Sequence, residues 1–172
     1  MESAQPMPDV PRFLADTMLG RLARWLRVLG YDTAYDRVSP DDKVMVEQAI
    51  REHRRLLTRD RYLVQRRSLR ERVTLVTSDE LGEQLLQLNR ELPLDLTPDV
   101  RPARCVRCNL VLEPIPPETA APLVPAFVAG RHDRFARCPG CGNIYWPGTH
   151  WTNLLTRLAR LRERADRSEG AA

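Results

Sequence analysis

Four cysteines are arranged as two C-x-x-C pairs, Cys105/Cys108 and Cys138/Cys141. Each pair offers two thiolates on one tight turn, and a closed tetrahedral zinc site requires four such ligands. Disulfides or redox pairs are the alternative, but the N-terminus shows no secretory signal, and disulfides are rare inside cells. The pairs therefore predict one structural zinc ion in a ribbon over 105–150, with an insertion in the long stretch between them.

A second set of candidate ligands consists of aspartates next to apolar segments. Asp16 follows RFLA, Asp60 follows RLLT, and Asp42 lies at the start of a predicted helix. If the two apolar segments are parallel strands, their carboxyl ends meet at the edge where open α/β sheets bind ligands. Carboxylates converging there suit Mg²⁺ or Mn²⁺, which can promote phosphodiester hydrolysis. The three aspartates are therefore the predicted ligands of a catalytic metal.

The same acids also have structural interpretations. Asp41 and Asp42 suit the first turn of a helix, where the helix dipole favours acidic side chains. Asp79 follows VTLV beside Ser78, which is typical of a helix N-terminus, and a lone Asp60 would serve as a helix cap. Asp79 and Asp41 are accordingly second-tier catalytic candidates.

Arginine dominates the basic residues, because Lys43 is the only lysine among 27 Lys and Arg side chains in a chain of net charge +4. Arginine suits bidentate phosphate contacts, although a GC-rich genome would produce the same bias. We expect RNA contacts from five arginines, with an ordinary solvated loop or helix face as the alternative. These arginines flank Asp60 or share one helix face: Arg59, Arg61, Arg21, Arg24 and Arg27.

The elements that must position these residues follow from hydrophobic periodicity. Four short apolar segments predict strands, at 12–15, 31–35, 54–58 and 72–76. Amphipathic segments predict three helices between and after them, at 18–30, 39–53 and 78–92, the last two capped by Ser39 and Ser78. Strands alternating with helices indicate an α/β domain with a mainly parallel sheet.

The chain changes character at Pro93, where proline-rich sequence begins. The predicted organisation is an α/β core over 11–92, a linker over 93–104, the ribbon, and a basic C-terminal helix over 151–167. Aromatic residues end the ribbon, and we expect them to pack it against the core or to stack on bases. They are Tyr145, Trp146 and Trp151, with His150 among them as a weaker catalytic candidate.

Three segments carry a family resemblance: RFLADTMLGRLARWLRVLGYDTAY, LLTRDRYL and FARCPGCGNIYWPGTHW. They resemble the PIN-like ribonuclease domain at the C-terminus of the Mut-seven exonuclease and its free-standing bacterial and archaeal relatives, over residues 11–155. The resemblance implies a PIN-like three-layer fold and metal-dependent RNA cleavage. In the PIN pattern one acid follows the first strand, as Asp16 does. A second acid precedes a T-x-D motif by some eighteen residues, as Asp42 precedes Thr58-Arg59-Asp60. A further helical glutamate is frequent in the PIN group and has no clean match here.

These observations predict a cytoplasmic, metal-dependent ribonuclease with structural Zn²⁺ and catalytic Mg²⁺ or Mn²⁺. The expected partner is an RNA substrate, with tRNA or the ribosome as candidates, and no membrane is involved. The alternative is a noncatalytic RNA- or ribosome-binding zinc-ribbon protein, and a third hypothesis is a protein-interaction adaptor.

Overall fold

The computed structural model describes residues 10–35, 41–69, 71–97 and 103–148, together with 152, 153, 156, 159, 160 and 163. The first part of the chain forms a parallel four-stranded sheet with helices, and the cysteine-containing part forms a three-stranded antiparallel sheet. The predicted fold class, an α/β domain followed by a cysteine ribbon, is confirmed.

The parallel sheet has the strand order β2-β1-β3-β4. Its strands are β1 (Phe13–Ala15), β2 (Thr33–Tyr35), β3 (Arg55–Thr58) and β4 (Val73–Leu75). The central strands β1 and β3 consist almost wholly of buried apolar residues, as is typical of parallel strands covered on both faces. Leu14 pairs with Ala34 on one side and with Leu56 on the other.

Helices cover both faces of the sheet, which gives three layers. They are α1 (Gly20–Val28), α2 (Asp42–Arg51), α3 (Arg61–Val64) and α4 (Leu81–Glu91). Because successive side chains of a strand point to opposite faces, Phe13 and Leu57 pack with α1 and α4, whereas Leu14 and Leu56 pack with α2 and α3. Single 3₁₀ turns precede α1 at Thr17–Leu19 and follow α3 at Arg67–Leu69.

The helix starts differ from the prediction. Helix α2 begins at Asp42 and its cap is Asp41, whose carboxylate accepts a hydrogen bond from the Lys43 N–H at 3.0 Å. Ser39, the predicted cap, lies outside the described residues. Ser78 does not cap α4, because its hydroxyl accepts from the Glu80 N–H at 3.1 Å and shapes the turn before the helix.

The strand order creates a switch point between β1 and β3. The chain leaves β1 through α1 towards β2 on one side, and it leaves β3 through α3 towards β4 on the other. Connections that diverge from adjacent parallel strands open a crevice at their carboxyl ends. The topology therefore makes the ends of β1 and β3 the natural ligand site of this sheet.

The ribbon contains β5 (Glu113–Ile115), β6 (Phe135–Arg137) and β7 (Ile144–Tyr145). The insertion between β5 and β6 forms two short helices, α5 (Pro117–Ala120) and α6 (Ala126–Ala129), which pack on a small cluster around Phe135.

The two predicted flanking segments are described only in part. The predicted linker 93–104 begins inside the core, because Leu94 and Leu96 are buried with α1 and α4. The described residues of the predicted helix 151–167 are helical; the rest of that range lies outside the described part. Within the described residues, no helix has both the length and the apolar character needed to span a membrane.

The ribbon is fastened to the core through Arg27. This side chain is only 5% exposed. Its Nε donates to the Thr33 carbonyl at 2.8 Å, and its Nη1 donates to the Val106 carbonyl at 2.7 Å. The Arg104 N–H in turn donates to the Arg27 carbonyl at 2.8 Å. One guanidinium therefore joins helix α1, strand β2 and the first cysteine turn.

Asn109 completes the same contact from the ribbon side. Strand β2 is an edge strand, and the N–H of its buried Thr33 donates to Asn109 Oδ1 at 3.0 Å. The Asn109 amide also donates to Asp32 at 2.6 Å. Because Arg27 already satisfies the Thr33 carbonyl, the ribbon and α1 together satisfy both polar backbone groups of this edge residue.

Asp32 is the charged centre of this junction. Its carboxylate accepts hydrogen bonds from Arg54 at 2.7 Å and from Arg12 at 3.0 Å, in addition to Asn109. Burial raises the pKa of Asp32, but the hydrogen bonds from Arg54, Asn109 and Arg12 outweigh burial and lower the pKa to about 2. The ionised form is therefore strongly preferred in the folded chain.

The first prediction concerns Arg27. We expect Arg27→Gln to lower the free energy of unfolding by about 2–4 kcal/mol, because it leaves buried carbonyls without donors. Urea denaturation of the full chain measures this. The matched control is Arg24→Gln, an exposed change on the same helix, which we expect to stay within about 0.5 kcal/mol of the native chain. An Arg27 variant as stable as the control would show that Arg27 does not hold the ribbon to the core.

The second prediction concerns acid. Because the folded pKa of Asp32, about 2, lies below its ordinary value of 3.8, the carboxylate stabilises the fold above that value and loses this effect as pH falls towards 2. We expect native stability to decline by roughly 2 kcal/mol more than that of Asp32→Asn between pH 5 and pH 2. Denaturation at stepped pH measures the difference, and parallel curves for the two chains would refute it.

Candidate metal centres

The first candidate site is the acidic edge, defined here by Asp16, Asp42 and Asp60 at the carboxyl edge of the parallel sheet. Asp16 directly follows β1 and is only 7% exposed. Its N–H donates to the Leu57 carbonyl at 2.9 Å, so the β1–β3 pairing continues to the acid itself. Pairing with the buried strand β3 fixes the backbone of Asp16 at the mouth of the switch-point crevice.

Thr58 connects two of these acids. Its hydroxyl donates to Asp16 Oδ2 at 2.8 Å and accepts from the Asp60 N–H at 3.0 Å. Thr58 is fully buried at the end of β3, so its rotamer is held by the surrounding core. The T-x-D motif therefore links the carboxylate of Asp16 to the backbone of Asp60.

Asp60 is also the N-cap of α3. Its Oδ1 accepts from the Tyr62 N–H at 2.7 Å, which satisfies one of the free amides at the helix start. Asp60 therefore does serve as a helix cap, and the cap fixes the orientation of its carboxylate. Capping uses one oxygen, and no other described residue hydrogen-bonds the carboxylate.

The remaining acids have cationic or capping partners. The Asp42 carboxylate lies 3.6 Å from the guanidinium of Arg66, and Asp79 forms an ion pair with Arg59. Asp41 is occupied as the cap of α2. No pattern in the sequence marked Arg66 as a partner, since it lies after α3 and approaches Asp42 only in the folded chain.

Asp16 and Asp60 differ from these acids because no described residue offers either of them an ion pair. A buried carboxylate that has hydroxyl donors but no cation is costly, and a bound cation offsets that cost. Hard oxygen ligands of this kind suit Mg²⁺ or Mn²⁺. Asp16 and Asp60 therefore have the chemistry to hold a divalent ion. The structure does not bring Asp42 into a close ligand group with them, because among the described residues only the four cysteines form such a group, and the Asp42 carboxylate faces Arg66.

The second candidate site is the cysteine cluster. In the described part of the chain, only Cys105, Cys108, Cys138 and Cys141 form a group of three or more potential metal ligands, all within 4.8 Å of one another. The Cys105 and Cys141 sulfurs lie 3.7 Å apart. Four thiolates around one zinc ion at the usual Zn–S length are spaced by about 3.8 Å. The cluster is thus close enough to hold a metal such as zinc, as the sequence predicts.

The two cysteine turns have the same backbone design. In each turn, the N–H of the second cysteine points at the sulfur of the first, at 3.3 Å for Cys108 and 3.5 Å for Cys141. The residue after the second cysteine has a positive φ in both turns, 63° at Asn109 and 73° at Gly142. Glycine and asparagine adopt this conformation at low cost. The sequence therefore builds two matched knuckles that bring the four sulfurs close together.

Hydrogen bonds favour the thiolate form of Cys105. Burial raises the pKa of the Cys105 thiol, but hydrogen bonds from the Tyr145 hydroxyl and from the Cys108 N–H outweigh burial and lower the pKa to about 6. The thiolate is the form that binds metal. Tyr145 therefore packs inside the ribbon rather than against the α/β core, and it supports the ligand set.

The other predicted aromatic residues are only partly described. Trp146 is partly exposed beside the ribbon, whereas His150 and Trp151 lie outside the described residues. The expectations for these two residues therefore remain predictions.

The predicted phosphate-binding arginines fall into two groups. Arg21 and Arg24 are exposed on α1, and Arg59 and Arg61 line a shallow cleft beside the end of β4. Arg27 differs from the prediction. It is buried and its guanidinium donates to backbone carbonyls, so it does not face an RNA backbone.

A family model described as the Mut7-C RNAse domain matches residues 11–158, which is well over half of the chain. The match spans the parallel sheet, the acidic edge and the whole cysteine cluster. A search of curated proteins and a search of solved structures each found no match.

The third prediction concerns the ribbon metal. Metal analysis of protein purified under nonoxidising conditions should find about one zinc ion per chain. Removing one ligand by Cys141→Ser should strongly reduce this content and the stability of the ribbon, because binding and folding are coupled. The control Arg131→Ser changes an exposed residue of the same ribbon and should keep its zinc. Native protein without zinc under these conditions would contradict the prediction.

Proposed function

The chain belongs to the Mut7-C RNase domain family, and on this basis we propose that it is a metal-dependent ribonuclease that hydrolyses phosphodiester bonds of RNA. The observation that carries the proposal is the Thr58 bridge, which sets the buried Asp16 beside Asp60 at the switch-point crevice. Family membership supports the class of reaction, and this contact supports the carboxyl ends of β1 and β3 as its place.

The proposed metal ligands are Asp16, Asp60 and Asp42. Mg²⁺ or Mn²⁺ held by these carboxylates would lower the pKa of the attacking water and offset charge on the departing oxygen. Thr58 holds the Asp16 carboxylate in one orientation, and Asp60 is held by its own helix cap. Asp16 and Asp60 are therefore preorganised for substrate, whereas Asp42 must first leave Arg66.

The arginines around the acidic edge position the RNA backbone in this proposal. Arg61 is exposed directly after Asp60, and Arg66 lies against Asp42. Arg59 lines the cleft beside β4 while it pairs with Asp79. Guanidinium groups match phosphate oxygens in a bidentate manner, so these side chains can hold the phosphates on either side of the metal ligands.

The ribbon metal has a structural role in this proposal. A four-cysteine site has no open coordination position for substrate, and its first knuckle is bonded to Thr33 and Arg27 of the core. Zinc thereby stabilises the domain that carries the acidic edge, rather than taking part in cleavage.

The fourth prediction tests the activity. Asp60→Asn should lower cleavage of end-labelled single-stranded RNA in Mn²⁺ by about 100-fold or more, because it removes a charged ligand while the amide oxygen can still cap α3. EDTA should stop the native reaction. The matched control is Asp133→Asn, an exposed acid in the ribbon, which should cleave at the native rate.

Other outcomes separate the competing functions. Native protein that binds RNA with a steep salt dependence but never cleaves it would favour the noncatalytic RNA-binding protein. Native protein that neither binds nor cleaves RNA would leave the adaptor hypothesis. Cleavage by Asp60→Asn at the native rate would remove Asp60 from the metal site.

A further inference from the structure

A cavity of about 500 Å³ lies on the ribbon beside the second cysteine knuckle. It is lined by residues 138–142 of that knuckle and by Glu113 and Arg137. We call this space the knuckle cleft. Its volume is in the range that is usual for small-molecule sites. The proposed ribonuclease site does not use it, because none of the lining residues belongs to the parallel sheet or to the acidic edge.

Two side chains of opposite charge line the knuckle cleft. Glu113 begins β5 and Arg137 ends β6, and the two residues are partners in the register of the antiparallel sheet. Opposite charges at such cross-strand positions attract each other. Both residues are nevertheless exposed, and neither forms an ion pair within the described part of the chain. One cation and one anion are therefore left for a ligand of the cleft.

The knuckle keeps the guanidinium of Arg137 close to its own backbone. Gly142 has a positive φ of 73°, and a Cβ at this position would lie 3.5 Å from Nη2 of Arg137. Gly140 and Gly142 add no side chains to the cleft, and the ring of Pro139 is exposed between the two cysteines. A flat polar ring can therefore lie along this turn while its edges reach the two charged side chains.

The metal expected in the ribbon explains Arg137 but does not explain Glu113. Four thiolates around Zn²⁺ leave a net negative charge, and a nearby guanidinium offsets it. The same charge repels a carboxylate. Glu113 nonetheless lines the cleft together with Cys138 and Cys141. A ligand that donates hydrogen bonds to Glu113 would offset this repulsion.

The two charged groups define the hydrogen-bonding edges of the ligand. A guanidinium only donates, and an ionised carboxylate only accepts. The ligand must therefore place acceptors towards Arg137 and donors towards Glu113. Guanine has this arrangement, because its O6 and N7 accept while the neighbouring N1–H and N2 amino group donate. Adenine, cytosine and uracil do not combine two adjacent acceptors with two adjacent donors.

We propose that the knuckle cleft binds a guanine base, with Arg137 donating to O6 and N7 and Glu113 accepting from N1 and the N2 amino group. The base belongs to an unpaired nucleotide of an RNA strand or to a free guanine nucleotide, since both present the same edges. This inference goes beyond the proposed ribonuclease function and does not depend on cleavage, because the cleft and the acidic edge share no residue.

The first experiment measures nucleotide binding by calorimetry. Full-length, zinc-loaded protein, with no Mg²⁺ or Mn²⁺ added, is titrated with GMP, AMP, CMP and UMP. The four ligands carry the same phosphate, so we expect the base alone to make GMP bind about 10-fold more tightly than the others. Glu113→Gln and Arg137→Met should each remove most of this preference. The matched controls are Glu118→Gln and Arg131→Met, exposed residues of the ribbon that do not line the cleft, and they should keep it.

Two analogues separate recognition of the base from a general loss of folding. IMP lacks the N2 amino group and 7-deaza-GMP lacks N7, so each should bind native protein about 5-fold more weakly than GMP or worse. The penalty for IMP should disappear in Glu113→Gln, and the penalty for 7-deaza-GMP should disappear in Arg137→Met. Both variants should keep the native zinc content, which shows that the knuckle is intact.

Two short single-stranded RNAs that differ only by a G or an A identify the source of the base. Tighter binding of the strand with G, abolished by Glu113→Gln, would assign the cleft to RNA. A preference for GMP without a preference between the RNAs would assign it to a free nucleotide. The proposal is overturned if no ligand binds, if guanine has no advantage in either assay, or if Glu113→Gln and Arg137→Met both retain that advantage. Loss of RNA cleavage would count against the proposed function alone.

Discussion

The buried guanidinium of Arg27 is the interaction on which the two halves of the structure depend. It reaches the exposed edge of β2 and the first cysteine knuckle at the same time, so the sheet and the ribbon share one set of hydrogen bonds. Burying a charged group is costly unless every donor finds a partner. Asn109 holds Asp32 near Arg27, where the negative charge of Asp32 favours the charged guanidinium. The junction is therefore stable only when core and ribbon are both folded.

The ribbon contact and the acidic edge lie at opposite ends of the parallel strands. The ribbon is fixed at Thr33, the first residue of β2, whereas the acidic edge lies beyond the last residues of β1 and β3. Strands of this length keep the two ends about 10 Å apart. The cysteine site thus lies away from the crevice, and a ligand at the acids would not contact the first cysteine knuckle.

Local patterns predicted most of this arrangement, and long-range contacts account for the errors. Cysteine spacing predicted the cysteine cluster, because its signal lies within a few residues, whereas the metal site at the aspartates stays a prediction. Arg27 was expected on an exposed face since it follows Arg21 and Arg24 at helical spacing, yet the ribbon covers that end of α1. Contacts such as Arg66 with Asp42, or Asn109 with Thr33, join residues far apart in sequence and leave no periodic trace. The sequence assigned the caps of α2 and α4 to the wrong residues, because several short polar residues near each helix start are able to cap it.

The contact between Asn109 and the edge of β2 has a consequence for the chain when it has lost its metal. The knuckle that presents Asn109 is shaped by the same turn that presents Cys105 and Cys108. A knuckle that loosens takes Asn109 away and leaves the N–H of Thr33 open. An open edge of this kind is a template for pairing with a strand of another molecule. The contact of Asn109 with Thr33 therefore also covers part of this sheet edge, and we expect a chain whose ribbon lacks metal to aggregate more readily.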